Sequence, residues 1–268
     1  MSDDHAAPRA PEGTLAPKVY FLGMGPGDPE LMTVKAARII KGADLILYAG
    51  SLVPRRCLEG AAPWARIEDS SGMTLEETHA LLVRTVRAGK AAARAHTGDP
   101  ALYGAVAEQA RLLERDGIGY EIVPGVTSAS AAAAACKISF TMPEAGQTLI
   151  LTRLAGRTPV PEKERLRDLA RHGCSLAVYL SAADPEGVRR ELLEGGLAPD
   201  VPVAVVHRVG WPDEKIRFTV ARDLPDVVRE EGLTRQTLFL VLPELDKGAP
   251  SRLYAPDFAH GFRPAAKD

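Results

Sequence analysis

Short apolar runs alternate with longer stretches in which apolar positions recur every three or four residues, the pattern of strands each followed by a helix. Residues 18–23 read as a strand that enters a glycine turn and then a helix over about 33–41. The unit recurs. Residues 43–48 form a strand, 74–88 a helix opened by the capping box Thr74-x-x-Glu77, and 91–96 another strand. A helix follows over about 104–116, then a strand at 120–123 that ends in Pro124-Gly125 before an Ala-rich helix holding residues 131–135. Strands alternating with helices predict a mainly parallel sheet covered on both faces.

Past Met142-Pro143 the texture changes. Residues 147–152, 175–180 and 201–207 read as strands, and the helices between them are richer in Arg and Glu. Residues 215–220 and 236–242 add strands on either side of a short helix over 224–231, which predicts an antiparallel component in a second, mixed sheet. The expected division is a flexible tail at 1–17, an N-terminal α/β domain at 18–142, a C-terminal α/β domain at 143–245 and a surface tail at 246–268.

Composition narrows the function. The 268 residues carry 33 Lys and Arg against 35 Asp and Glu, a formal net charge of −2, which argues against a nucleic-acid partner held by phosphate neutralisation. Cys57, Cys136 and Cys174 are widely spaced, with no C-x-x-C pair and no His at ligand spacing, so neither a disulfide framework nor a metal site of the protein's own is expected. The first residues lack the basic start and apolar centre of a secretory signal, and no apolar run reaches the ~18 residues needed to span a bilayer. A cytoplasmic protein with no membrane partner is the expectation.

The loops carry the candidate chemistry. Gly23-x-Gly25 begins like a dinucleotide fingerprint, but the third glycine of G-x-G-x-x-G is replaced by Asp28, whose carboxylate repels a pyrophosphate. No Gly-Lys-Ser/Thr follows to make a P-loop. Thr97-Gly98-Asp99-Pro100-Ala101-Leu102-Tyr103-Gly104 leaves a strand at the same carboxyl edge, the edge at which open α/β sheets bind ligands. Pro124-Gly125-Val126-Thr127-Ser128 leaves a third strand through hydroxyl residues suited to capping a helix. Each loop alone is also readable as a plain turn or cap. His96 and His207 lie in strands and read as hydrogen-bonded structural histidines, and no Ser-His-Asp arrangement can be assembled. Arg55, Arg56, Arg153 and Arg157 follow strands, where guanidinium groups can hold carboxylates or simply be solvated. Met24 and Trp211 lie in loops and can cover a flat ligand or pack ordinarily.

Together these loops resemble the tetrapyrrole methylase family. Its first-strand signature G-x-G-x-G-D-P-x-x-L-T is matched by Gly23-Met24-Gly25-Pro26-Gly27-Asp28-Pro29-Glu30-Leu31-Met32-Thr33, with one Met in place of the commoner Leu. The Gly98-Asp99-Pro100 and Pro124-Gly125 loops match the next two landmarks in order, and the resemblance covers roughly residues 18–245. Tyr48-Ala49-Gly50-Ser51-Leu52-Val53 is similar to the branch that methylates C11 of precorrin-4, or of its cobalt-bearing counterpart, in corrin synthesis.

The resemblance implies two α/β domains with a cofactor cleft between them, a homodimer, and S-adenosylmethionine as methyl donor with S-adenosylhomocysteine as product. This donor has a sulfonium, an amine and a carboxylate but no phosphate, and an acidic loop suits it. By position the cofactor contacts become Pro26, Thr97, Gly98, Asp99, Thr127, Ser128, Leu180, Ala204 and Val209, Leu180 standing where relatives often have Met. Asp28, Arg55, Arg56 and Arg153 are candidates for the tetrapyrrole substrate, and Asp99, Tyr103, Tyr48 and Ser51 for the catalytic set that orients the ring or its proton loss. The implied reaction is an in-line transfer to a nucleophilic ring carbon, which asks more of positioning than of acid-base machinery. Methylation of another ring carbon, or a non-catalytic tetrapyrrole-binding protein, stays open at this point.

Overall fold

The computed structural model describes residues 15–245 and 247–264. Most of the N-terminal segment expected to be a tail, residues 1–14, and residues 246 and 265–268 of the C-terminal one lie outside the described residues. The chain divides into two compact units at residues 128 and 129.

The first unit is built on β1 (Val19–Gly23), α1 (Val34–Gly42), β2 (Leu45–Tyr48), β3 (Arg66–Asp69), α2 (Leu75–Arg87), β4 (Ala92–His96), α3 (Val106–Arg115) and β5 (Tyr120–Val123). The strands pair in parallel in the order β3-β2-β4-β1-β5. Parallel neighbours need crossovers, and the helices supply them on both faces. On one face Ile39 and Ile40 of α1 pack with Tyr20, Leu22, Ile46 and Ala93. On the other, Leu81 and Leu82 of α2 and Leu113 of α3 pack with Val19, Phe21, Leu45 and Leu47. Such strands are buried on both sides, which is why their apolar runs are continuous instead of alternating.

The chain leaves β1 towards β2 on one side and passes from β4 over β1 to β5 on the other. The loops after β1 and β4 therefore turn to opposite faces, and a switch point of this kind opens a crevice at the carboxyl ends of the strands. The capping box at Thr74 is formed, with Glu77 N–H donating to Thr74 Oγ1 at 3.2 Å and Thr74 N–H to the Glu77 carboxylate at 2.7 Å.

The second unit contains α4 (Ser128–Cys136, entered at the dividing residue), β6 (Leu149–Arg153), α5 (Leu166–Ala170), β7 (Ser175–Tyr179), α6 (Pro185–Glu194), β8 (Pro202–His207), β9 (Lys215–Val220), α7 (Leu224–Glu230) and β10 (Thr237–Val241). Its sheet has the order β6-β7-β10-β8-β9, with β6 and β7 parallel and β10 antiparallel to both β7 and β8. Strand β9 returns antiparallel to β8, which makes the mixed sheet expected of the C-terminal half. Leu166 of α5, Val188 and Leu192 of α6 and Val228 of α7 cover Leu176, Val178, Val203, Val205 and Phe239. The nearly buried Glu191 takes bonds from the Arg167 guanidinium, fixing α5 against α6.

One strand escapes the sequence pattern. In β3, Arg66, Ile67 and Asp69 are exposed and Glu68 only half-buried, so neither an apolar run nor an alternation marks it. It is an edge strand, and charged residues on an edge blunt pairing with other chains.

Candidate active site

At the carboxyl edge of the first sheet three loops meet backbone to backbone. Met24 N–H donates to His96 O at 2.9 Å, Gly25 N–H to Gly98 O at 3.3 Å and Gly98 N–H back to Gly25 O at 2.7 Å, so the loops after β1 and β4 are zipped together. The loop after β5 closes on both. A Cβ on Gly125 would overlap the Gly98 carbonyl oxygen and lie 2.7 Å from Gly23 Cα, and one on Gly23 would lie 2.8 Å from Gly98 O. The strand ends converge this tightly because Gly23 and Gly125 lack side chains, while Gly98 has room for a Cβ but holds a positive φ of 61° that favours glycine.

Asp99 locks the junction. Its Oδ2 accepts from Gly125 N–H at 2.9 Å and its Oδ1 from Ala101 N–H at 2.8 Å. The carboxylate thus ties one ligand loop to another while leaving negative charge at the crevice. Beyond it the chain is strained: Tyr103 and Ala105 hold positive φ of 56° and 51°, and a Cβ on the intervening Gly104 would overlap the Pro100 carbonyl. Left-handed backbone at non-glycine residues costs about 1–3 kcal/mol each and concentrates where ligands are handled. Tyr103 is left half-exposed on this loop.

The first loop is braced from a second side. Arg56 Nε donates to Gly27 O at 3.1 Å, and Cys57 Sγ approaches the same oxygen at 3.5 Å. Burial pushes the Cys57 thiol up to about 11, so it is protonated at neutral pH and serves as packing. Asp28 caps the turn that follows, accepting from Glu30 N–H at 2.9 Å. Pro26 lies in the buried part of this loop, whereas Thr97, Asp99, Thr127 and Ser128 are partly accessible around it.

The segment after β2 carries the remaining candidates of this unit. Tyr48 ends β2 and is buried among Tyr20, Leu22, Ile46 and Val53, so its ring packs in the core. Ser51 and Arg55 are exposed. Gly50 N–H donates to Asp69 Oδ1 at 2.9 Å and Ser71 N–H to the same atom at 2.8 Å, and these donors hold the Asp69 carboxyl below its usual range. Asp69 has no distinguishing pattern in the sequence and was not a candidate there.

In the second unit the carboxyl ends of β6, β7 and β8 share one edge, which brings Arg153, Leu180 and Val209 to the same side of the sheet. Leu180 is largely exposed with a positive φ of 53°, presenting an apolar side chain from a strained strand end. Arg153 bonds the carbonyls of Leu154, Thr158 and Pro159 at 3.3, 3.1 and 2.7 Å and shapes its own loop. Ala204 is mid-strand with none of its surface exposed, and Val209, just past the strand end, is buried as well. Next to it Arg208 stacks over Trp211 at 4.9 Å and pairs with Asp213.

Neither strand histidine has a base's surroundings. His96 is buried, burial and the neighbouring Arg94 depress its pKa to about 3, and its Nε2 has no hydrogen-bond partner among the described residues. Its expected hydrogen bonding is therefore incomplete. His207 Nδ1 meets Thr237 Oγ1 at 2.9 Å, and that hydroxyl donates to Arg235 O, so Nδ1 carries the proton.

Comparison with known proteins agrees with this architecture. Residues 18–225 match the Tetrapyrrole (Corrin/Porphyrin) Methylases. The chain is 47% identical over 255 residues to the cobalt-precorrin-4 C(11)-methyltransferase of Priestia megaterium, covering 93% of this chain and 99% of that protein. The solved structure of a cobalt precorrin-4 methyltransferase superposes with a TM-score of 0.83 at 46% identity, over 87% of this chain and 97% of that one. A uroporphyrin-III C-methyltransferase from Thermus thermophilus, solved in complex with S-adenosylhomocysteine, superposes with a TM-score of 0.68 at 28% identity, over 84% of this chain and 92% of that one. The chain belongs to the tetrapyrrole methylase family.

Proposed function

We propose that this chain transfers the methyl group of S-adenosylmethionine to C11 of precorrin-4, giving precorrin-5 in cobalamin biosynthesis. The observation that carries the assignment is the 47% identity, along almost the whole of both chains, to a relative with that ring-carbon specificity. The loop chemistry is consistent with the donor. Gly23, Gly98 and Gly125 pack their backbones together with Asp28 and Asp99 in the same loops and no basic residue among positions 97–104, an arrangement that suits a cation and repels a pyrophosphate. The reading makes the protein a cytoplasmic homodimer.

When bound, S-adenosylmethionine supplies a methyl group made electrophilic by the adjacent sulfonium. The residues here hold and orient. In the first unit Thr97 and Thr127 offer hydroxyls beside the glycine junction and Asp99 ties the loop after β4 to the loop after β5, and in the second unit Leu180 is an exposed apolar side chain at the sheet edge. Ser51, Arg55 and Tyr103 are the exposed groups placed to meet the macrocycle, Arg55 by pairing with its carboxylate side chains. Arg56, Arg153 and Asp28 act through the loops they brace. Transfer to a nucleophilic ring carbon would ask these residues for in-line positioning of the two partners and for no strong base. The depressed pKa of His96 and the raised pKa of Cys57 fit a site without one.

Calorimetric titration of S-adenosylmethionine and S-adenosylhomocysteine, with NADPH as control, followed by turnover with precorrin-4, tests the reading. Saturable binding of the first two and methylated product are expected. Binding of NADPH alone would overturn the donor assignment, and donor binding with no turnover would favour a non-catalytic binder.

A further inference from the structure

Arg94 occupies the middle of β4, the central strand of the first sheet, on the face that also carries Ala92, Phe21 and Leu47. It is largely buried, and no carboxylate pairs with it among the described residues. A guanidinium in such a place is costly, because an ion removed from water is normally compensated by an opposite charge. An apolar side chain would pack there with less penalty.

Its contacts run in two directions. Nη1 donates to Ser70 Oγ at 2.7 Å and to Leu47 O at 3.4 Å, and Ser70 Oγ in turn donates to Tyr48 O at 3.1 Å. Nε donates to Gln109 Oε1 at 3.3 Å, and Gln109 Nε2 donates to Ala105 O at 3.1 Å. One arm ends where the 48–53 segment begins, and the other ends at the strained close of the 99–105 loop. Beside the first arm, Asp69 holds Gly50 N–H. Every bond in both arms points outward from the cation, so its charge polarises each in the same sense and strengthens the chain.

We propose that Arg94 is a positioning residue for the macrocycle, joining through Ser70 and Gln109 the two loops that present Ser51 and Tyr103 and holding them at a fixed separation. This rests on the reading of those loops as the substrate-facing ones. The donor-facing start of the second loop, Thr97 to Asp99, is held by the glycine junction and by the Asp99 bond to Gly125, whereas the network grips that loop at its far end, Ala105, so its effect falls on Tyr103 and the substrate before it falls on the donor.

The test is steady-state kinetics with each substrate varied, together with S-adenosylhomocysteine calorimetry, on Arg94→Met, Arg94→Lys, Ser70→Ala and Gln109→Leu. Arg94→Met is expected to raise KM for precorrin-4 by about 10-fold or more, since small misplacements of a bound substrate carry large penalties. S-adenosylhomocysteine affinity should stay within about 2-fold. Ser70→Ala and Gln109→Leu should each give part of the effect and combine non-additively with Arg94→Met, as members of one network do. Arg94→Lys should recover part of the loss. An unchanged KM for precorrin-4 in folded Arg94→Met, or a parallel loss of S-adenosylhomocysteine affinity, would overturn the proposal. If Arg94→Met does not fold, Ser70→Ala and Gln109→Leu decide by the same criteria. Ser51→Ala and Tyr103→Phe separate the two levels. Should they raise KM while the Arg94 set does not, only the network is refuted, and should they also be silent, the assignment of these loops to the substrate fails with it.

Discussion

Gly125 meets the strictest demand of any residue at the site, because its missing side chain is the space that the Gly98 carbonyl and Gly23 Cα occupy. Both neighbours are backbone, Gly23 at the end of β1 and Gly98 in a loop bridged to Gly25, and cannot swing aside. Gly125→Ala should therefore cost about 1–3 kcal/mol or more by overpacking and abolish S-adenosylhomocysteine binding, read by urea unfolding and calorimetry. Retained stability with retained binding would show that the junction yields. His96 gives a second expectation. Its folded pKa is depressed to about 3 from an ordinary 6.5, so the folded form stays neutral while the unfolded chain takes up a proton as pH falls through 6.5. The unfolded state then binds more protons, and stability falls on acidification by up to about 1.4 kcal/mol per pH unit. His96→Leu should flatten the slope of unfolding free energy between pH 6.5 and 5, above the range where the carboxylates titrate. At this scale the sequence exposed the three glycine loops, because close backbone approach requires glycine. It did not show that the Asp99 carboxylate also ties two loops together, since that depends on which amide lies opposite.

Elements were legible where local signals and burial agreed. The Thr74 capping box, the buried β1 and the antiparallel β9 and β10 all follow from short-range patterns. Thr74→Ala should remove one cap, lower stability by about 1 kcal/mol and leave S-adenosylhomocysteine affinity unchanged, since the start of α2 carries none of the ligand loops. A fall in affinity would mean that α2 communicates with the site. Strand β3 was not legible, because an exposed edge strand of charged residues is held by its partner β2 and not by its own pattern. With it went Asp69 and Ser70, which end and follow that strand and anchor the 48–53 segment. Arg94 did leave a trace, a lone cation in an alanine-rich strand, whose meaning appears only when its two hydrogen-bonded arms are seen.

For the molecule as a whole, a parallel sheet and a mixed sheet follow from the order of strands and helices, and the family membership adds the chemistry that two such units perform. Shared cofactor loops do not separate one ring carbon from another. The 48–53 segment and the relatives' specificity point to C11, and that is the central claim. The most direct measurement is turnover of precorrin-4 with S-adenosylmethionine carrying a carbon-13 methyl, followed by NMR of the product. A single labelled methyl bonded to C11 is the predicted result. A label on any other carbon, or none transferred by protein that binds the donor, would contradict it.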